Sequence, residues 1–193
     1  MQIIDLAEQT RLLGQTPRQL EELRAEIEAV RTGEIRRPVR EIAPLSIRAH
    51  GLAIQCLRQL DTLSTSQYAV MKEGEENLAR LAEATLRISI ASSLCAFGIT
   101  GRTDALLYED SDETPETSRR HLAEAVTNLG HAAVTYRMLA QRLSRRLASA
   151  VARAEDQLRI NRGLAGPGVT APSAPRTTTP TAPQAAGRAA AQR

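Results

Sequence analysis

The residues best suited to acid–base or metal chemistry are three histidines, and their spacing favours neither use. They are His50, His121 and His131. None has a cysteine, a second histidine or a carboxylate at a separation typical of a metal motif. His121 and His131 are ten residues apart, which puts them on different faces of a helix. The pattern predicts ordinary helix-surface histidines, with no metal site.

Candidate nucleophiles and phosphate-binding loops are equally weak. Cys56 and Cys95 each lie in an apolar helical context, which predicts buried, reduced thiols. A disulfide would require an oxidising compartment. No serine lies in a nucleophile-elbow pattern, and the glycine pair in 98–101 lacks the lysine of a phosphate-binding loop. We therefore predict no catalytic residue and no cofactor.

A cluster of acidic residues at 109–113 is the nearest approach to a cation site. It lacks the central glycine and the spaced oxygen ligands of an EF-hand loop. The cluster is predicted to be part of a solvated acidic loop over 99–113.

An arginine-rich helix flank is the one basic feature that could bind a partner. Its members lie beside an apolar stripe and are Arg137, Arg142, Arg145, Arg146 and Arg153. No acidic residue occurs between Val126 and Ala154. One interpretation is a solvated flank whose arginine stems cover the bundle edge; the other is a contact with phosphate or an acidic partner. Nucleic acid is the weaker form of the second, because no recognition helix or aromatic stacking platform accompanies the arginines.

The element that carries this flank is predicted to be one helix, or two nearly collinear helices, over 114–162. Thr114 suits the N-cap, Pro115 the first helical position and Glu116 the positive end of the helix dipole. Apolar or small residues then recur at spacings of three and four, which forms one stripe: Leu122, Val126, Leu129, Ala133, Tyr136, Ala140, Leu143, Leu147, Val151, Ala154 and Leu158. Gly130 either kinks this helix or lets another helix approach closely, and we favour close approach.

A second long helical segment is predicted over Leu45–Phe97. Its apolar face is assigned to Ile47, Ile54, Leu57 and Leu60. A break near Ser64 or near Gly74 is left open. After Thr85 apolar residues cover more than one face, which predicts deeper burial, and Gly98 and Gly101 are predicted to end the helix.

The N-terminal region is predicted to be a helical hairpin. Its first helix, 1–13, ends at Gly14, and its second begins with Thr16 as N-cap and ends at Gly33. An exposed basic linker is predicted over Glu34–Pro44, because each proline disfavours helix in the residue before it; the alternative is a segment that docks a partner.

Composition divides the chain into a helical domain, 1–162, and a disordered basic tail, 163–193. The tail consists mainly of Ala, Pro, Thr, Gly and Arg, and has too few large apolar residues to offset its ordering entropy. The whole chain has a net charge of +3, and the tail contains arginines but no acidic residue. The remainder is therefore close to neutral, which disfavours a dedicated nucleic-acid binder.

These features predict an all-α fold: an elongated antiparallel helical bundle of two long helical segments and an N-terminal hairpin, with a disordered C-terminal tail. The stripe spacing is closer to 3.6 than to 3.5, which favours bundle packing over a long coiled coil. The start lacks signal-peptide features, and the longest apolar run, Ile88 to Ile99, is too short to span a bilayer. We expect a cytoplasmic protein without membrane association.

The leading functional hypothesis is a non-enzymatic interaction or scaffold protein, with self-association as one form of it. It depends on long helices, alanine-rich faces that allow close packing, and the absence of a catalytic motif. The alternative is a nucleic-acid-associated accessory protein that uses the arginine flank and the basic tail. An enzyme would need an inward-facing Glu/His cluster, and the spacing provides none.

Overall fold

The computed structural model describes residues 1–108 and 115–165, which fold as an all-α helical bundle. The five α-helices of these residues are α1 (Leu6–Thr32), α2 (Pro38–Ser64), α3 (Gly74–Leu107), α4 (Pro115–Ala148) and α5 (Ala150–Ala165). The fold class is therefore confirmed. The acidic cluster at 109–113, the proposed N-cap Thr114 and the tail after Ala165 lie outside the described residues.

Helices α1 to α4 follow an up-and-down antiparallel path around one core. The packing of α3 on α4 illustrates this direction. Ser118, near the start of α4, donates a hydrogen bond to the carbonyl of Gly98 at 2.7 Å. Further along α4, the Tyr136 hydroxyl lies 3.4 Å from the hydroxyl of Thr85, which is earlier in α3. Helix α4 also packs extensively on α1, and so closes the bundle.

Helix α1 is continuous where the sequence predicted a turn, so the N-terminal hairpin prediction is wrong. Asp5 caps it by accepting hydrogen bonds from the backbone N–H groups of the first turn. Gly14 and Pro17 both lie inside the helix. The Thr16 hydroxyl donates to the carbonyl of Leu12 at 3.2 Å. A helical Pro costs roughly 3 kcal/mol; burial of the apolar side chains around it, including Leu13, offsets that cost.

The predicted linker Glu34–Pro44 is also mostly helix. Helix α2 begins at Pro38, and the missing N–H of this residue has no cost at the first position of a helix. Glu41 accepts a hydrogen bond from the Arg37 backbone N–H at 2.8 Å, which ties down the helix start. Pro44 lies within the helix. Only 33–37 connects α1 to α2.

The predicted segment Leu45–Phe97 is divided in two by a connection between Ser64 and Gly74. Helices α2 and α3 therefore pack antiparallel on each other. Residues at the N-terminus fix this connection in place. Gln2 pairs with Ser66 in a single parallel β-bridge. The side chain of Gln67 exchanges two hydrogen bonds with the backbone of Ile4, at 2.9 and 2.6 Å.

The glycines predicted to end α3 are buried inside it instead. The helix continues to Leu107, so the first nine residues of the predicted loop over 99–113 are helical instead. An ideal Cβ on Gly98 would lie 3.4 Å from Cδ2 of Leu122. Gly98 therefore lies in van der Waals range of α4, and burial of this part of α3 outweighs the low helix propensity of its two glycines.

The long C-terminal helix begins at Pro115 as predicted, but it breaks at Ser149 and not at Gly130. Ser149 acts as the N-cap of α5, since its hydroxyl accepts from the N–H of Ala152 at 3.3 Å. Helix α5 is not collinear with α4, because Arg146 and Asp156 meet at 2.6 Å. In one straight helix these residues would be about 15 Å apart.

Gly130 offers a stabilising substitution, since it lies inside α4 with room for a methyl group. An ideal Cβ would lie 3.6 Å from Nε of Arg24 on α1, an ordinary van der Waals separation. We expect Gly130→Ala to raise the free energy of unfolding by about 0.5 to 1 kcal/mol. Urea denaturation followed by circular dichroism measures this. Gly33→Ala is the control, because Gly33 lies just outside α1 and an added Cβ would lie 3.2 Å from the backbone oxygen of Ala29, so no gain is expected; equal effects would contradict the prediction.

Candidate functional site

The five arginines of the predicted flank do not form one surface. Four belong to α4, but Arg153 belongs to α5, which bends away after Ser149. Two members of the predicted stripe confirm this change of direction, because Val151 and Leu158 are exposed rather than buried.

Arg146 is part of the internal structure. Its guanidinium donates two hydrogen bonds to the carboxylate of Asp156, at 3.2 and 2.6 Å. Asp156 is 5% exposed and also accepts from the backbone N–H of Lys72 at 3.2 Å. The bond to Asp156 raises the pKa of Arg146 above its usual value. Arg146 therefore joins α4, α5 and the α2–α3 connection, and is not free to bind a ligand.

The other four arginines of the flank differ in the ion pairs and hydrogen bonds that their side chains form. Arg137 forms an exposed ion pair with Glu21 of α1 at 3.6 Å. Arg142 donates to the side-chain oxygen of Asn77 at 3.4 Å. Within the described part of the chain, Arg145 and Arg153 have no carboxylate within ion-pair distance, and both are exposed. The proposed binding role therefore depends on these two.

The histidines occupy three unrelated places. His50 is exposed on α2. His121 packs its ring against Phe97, with ring centroids 5.9 Å apart. His131 lies 3.3 Å from the guanidinium of Arg87. Among residues 1–108 and 115–165 no three His, Cys, Asp or Glu side chains cluster as metal ligands would.

Both cysteines are buried, as predicted, and neither forms a disulfide. Burial raises the pKa of the Cys56 and Cys95 thiols to about 11. Both are therefore protonated at neutral pH. Because the thiolate is the nucleophile, neither is suited to nucleophilic catalysis.

The feature missed by the sequence analysis is an apolar surface shared by α2 and α3. Nine large apolar side chains of these helices are at least one-third exposed: Val39, Ile47, Ile54, Leu57, Leu86, Ile90, Phe97, Leu106 and Leu107. We name this set the α2–α3 face. Burial was predicted for Ile47, Ile54 and Leu57, and for the apolar residues after Thr85. The exposure of Ile47, Ile54 and Leu57 corrects the first prediction; the second is wrong for Leu86 and Ile90, whereas Ile88 is fully buried.

The core side of α2 explains this error. Leu45, Ala49, Ala53 and Cys56 face the core, and their spacing is as helical as that of the exposed residues. The helix is therefore apolar on two opposite sides. Large side chains lie on both sides, because Ile42 and Leu63 are fully buried on the core side as well.

Two observations indicate that the exposed residues of α2 and α3 adjoin each other. Ser46 and Ser92 each donate a hydroxyl hydrogen bond to the carbonyl of the other at 3.1 Å, which joins the helices halfway along. Nearer the bundle end, Val39 lines a groove of about 380 Å³ with Leu106 and Leu107. The exposed apolar residues thus continue from one helix onto the next.

Charge is distributed unevenly around the bundle. The sequence has no Asp, Glu, Lys or Arg between Arg87 and Arg102, or between Arg48 and Arg58. The opposite side differs: a groove of about 550 Å³ between α1 and α4 is lined by charged residues of α1, namely Glu21, Arg24, Glu28 and Arg31. The middle of the α2–α3 face is therefore free of these charged residues, whereas the groove between α1 and α4 is lined by them.

Helix α3 is also apolar and long enough to cross a membrane by length and composition alone. In its most apolar window 44% of the residues are buried inside the bundle. Core helices of soluble proteins meet the same criterion, so this is weak support for a membrane contact.

No protein-family model matches this chain, and comparisons with curated proteins and with solved structures find no match. What the molecule does must be inferred from its own surface.

Proposed function

We propose that this protein is a non-enzymatic helical interaction module, and that the α2–α3 face is where it binds a protein partner. The single observation that carries the proposal is the exposure of nine large apolar side chains on α2 and α3, whose central stretches 49–57 and 88–101 contain no Asp, Glu, Lys or Arg. Monomeric soluble proteins rarely expose a contiguous apolar patch larger than a few hundred Å². A partner that covered this face would remove it from water.

The distribution of small residues supports a helical partner. Gly51, Ser89 and Ser93 lie among the large side chains of the α2–α3 face and are at least partly exposed. Short side chains between long ones produce the ridges and grooves by which helices pack. We expect the interaction to take place in the cytoplasm, without a membrane and without catalysis by this chain.

Site-specific photo-crosslinking tests the proposal in living cells. A benzophenone amino acid at Phe97, 58% exposed on the α2–α3 face, is expected to form covalent adducts with protein. The same group at Val134, 59% exposed on α4, is the matched control and should form few. Equal adduct yields at both positions, or none at Phe97, would reject the proposal.

Nucleic-acid association is the second candidate, and the exposed, carboxylate-free side chains of Arg145 and Arg153 favour it. Its affinity should fall steeply as salt rises, because each neutralised phosphate releases a counterion. We expect Arg145→Glu with Arg153→Glu to abolish binding of a short duplex at low salt. Binding that does not respond to salt, or no binding at low salt, would exclude this function.

A further inference from the structure

We infer that the partner of the α2–α3 face is a second copy of this chain, docked about a twofold axis. This inference rests on the proposed function and names its partner. In a twofold dimer the same surface is used by both subunits, so it must be compatible with itself in charge, size and shape.

Charge is the first requirement, and the α2–α3 face meets it. A face rich in one sign of charge would repel its own copy, and a face with mixed charges would need them placed symmetrically. Here the central stretches 49–57 and 88–101 contain no Asp, Glu, Lys or Arg. At the edge, Glu83 is already paired with Arg87 at 2.7 Å. Over these central stretches two copies can therefore meet without burying an unpaired charge, and the arginines Arg37 and Arg40 lie only at the end of the face, beside Val39.

Area is the second requirement. The exposed fractions of the nine apolar side chains run from 38% for Ile54 to 71% for Ile47. Together they offer on the order of 800 Å², about what each partner contributes to a standard-size interface. The face extends along α3 from Leu86 to Leu107, a length of about 30 Å. A dimer through this face would be large enough to be stable.

Shape is the third requirement. Helices α2 and α3 lie antiparallel, so two such pairs can stack as a four-helix layer about a twofold axis. The groove beside Val39 lies at one end of the face, where apolar side chains of both helices meet, and Arg37 and Arg40 also line it. In the dimer it would receive an apolar side chain from the other copy.

Light scattering coupled to size-exclusion chromatography tests this inference on the purified full chain. The protein is diluted over about 1 to about 100 μM, a range suited to a standard-size interface. As the concentration rises, the molar mass of the wild type should approach twice 21.0 kDa. Leu86→Glu should shift the apparent dissociation constant upward at least about 100-fold, because it buries a charge in an apolar contact. The matched control is Val134→Glu, since Leu86 and Val134 are both 59% exposed. It should remain dimeric.

A second variant and a folding check keep the outcome unambiguous. Ile47→Glu, on the other helix, should dissociate the dimer as Leu86→Glu does, with an unchanged circular dichroism spectrum. A monomeric wild type overturns the inference, as does a dimer that both variants leave intact. If the monomer still crosslinks another protein through Phe97, the interaction module stands and only the identity of its partner is wrong. If the monomer instead floats with phospholipid vesicles and Leu86→Glu does not, the occupant is a lipid surface, and both proposals fail.

Discussion

Gly74→Ala is expected to destabilise the bundle by about 3 kcal/mol, near the upper limit for steric overpacking. Gly74 begins α3, and three residues separate it from the 3-10 turn Gln67–Val70. An ideal Cβ there would lie 2.2 Å from the carbonyl oxygen of Tyr68 and 2.8 Å from that of Ala69. Both are backbone atoms, so no side-chain rotation can relieve the clash. The 3-10 turn or the start of α3 would have to move.

The preceding residue shows how tightly this connection is constrained. Glu73 has φ 62°, in the left-handed region that side chains other than glycine seldom adopt. Tyr68, within the 3-10 turn, and Met71, directly after it, are nearly fully buried. A displaced start of α3 would therefore disturb the core as well as the turn.

Urea denaturation followed by far-ultraviolet circular dichroism measures the effect of Gly74→Ala. Gly14→Ala is the control, because an added Cβ at that helical position meets nothing within 4 Å. The control should be stabilised by up to about 1 kcal/mol. If the Gly74 variant unfolds at the same urea concentration as the wild type, the close approach of the Tyr68 carbonyl is wrong.

The periodicity of α4 shows what could be predicted from sequence. Its stripe places Leu122, Leu129, Tyr136 and Leu143 in the core, and all four are buried. Prediction succeeded there because the opposite side of α4 is rich in charge, so that only one side could be buried. Pro115 marked the helix start for a local reason, namely that the first helical position needs no N–H.

Glycine and proline misled the prediction wherever packing decided the outcome. Gly14, Pro17 and Gly98 were interpreted as helix boundaries, but each lies inside a helix. Local propensity for these residues amounts to roughly 1 to 3 kcal/mol. Burial of several apolar side chains against other helices exceeds that amount, and these contacts are not visible in the local sequence.

Sequence periodicity could predict a candidate site only where all of its residues belong to one helix. The α2–α3 face was missed because α2 and α3 are apolar on two sides, and periodicity does not say which side faces the core. The available signal was the spread of apolar residues after Thr85 over more than one side of α3, and it was interpreted as deeper burial. Likewise, Arg146 was assigned to a solvated flank because its partner, Asp156, reaches it only through the bend at Ser149. Ser149 itself carried a signal, since serine is a preferred N-cap.

Asp156→Ala is expected to release α5 from the bundle. The loss of stability should be about 2 kcal/mol, which is less than for breaking a fully buried ion pair, because Arg146 is partly solvated. Asp156 is the only buried residue of α5. Its carboxylate joins the guanidinium of Arg146 and the backbone N–H of Lys72. The substitution leaves the Arg146 charge without its closest partner and the Lys72 N–H without an acceptor.

The loss should be local to α5, because α1 to α4 bury their own core without it. In hydrogen exchange, amides of Ala150–Ala165 should lose protection by about 30-fold, the equivalent of 2 kcal/mol. Amides around Leu129 in α4 should keep theirs. Glu155→Gln is the matched control: Glu155 is 38% exposed and its contact with Arg146 is 3.7 Å, so little change is expected. Unchanged exchange in α5 of the Asp156→Ala protein would mean that apolar contacts such as Ile160, and not the buried ion pair, hold this helix in place.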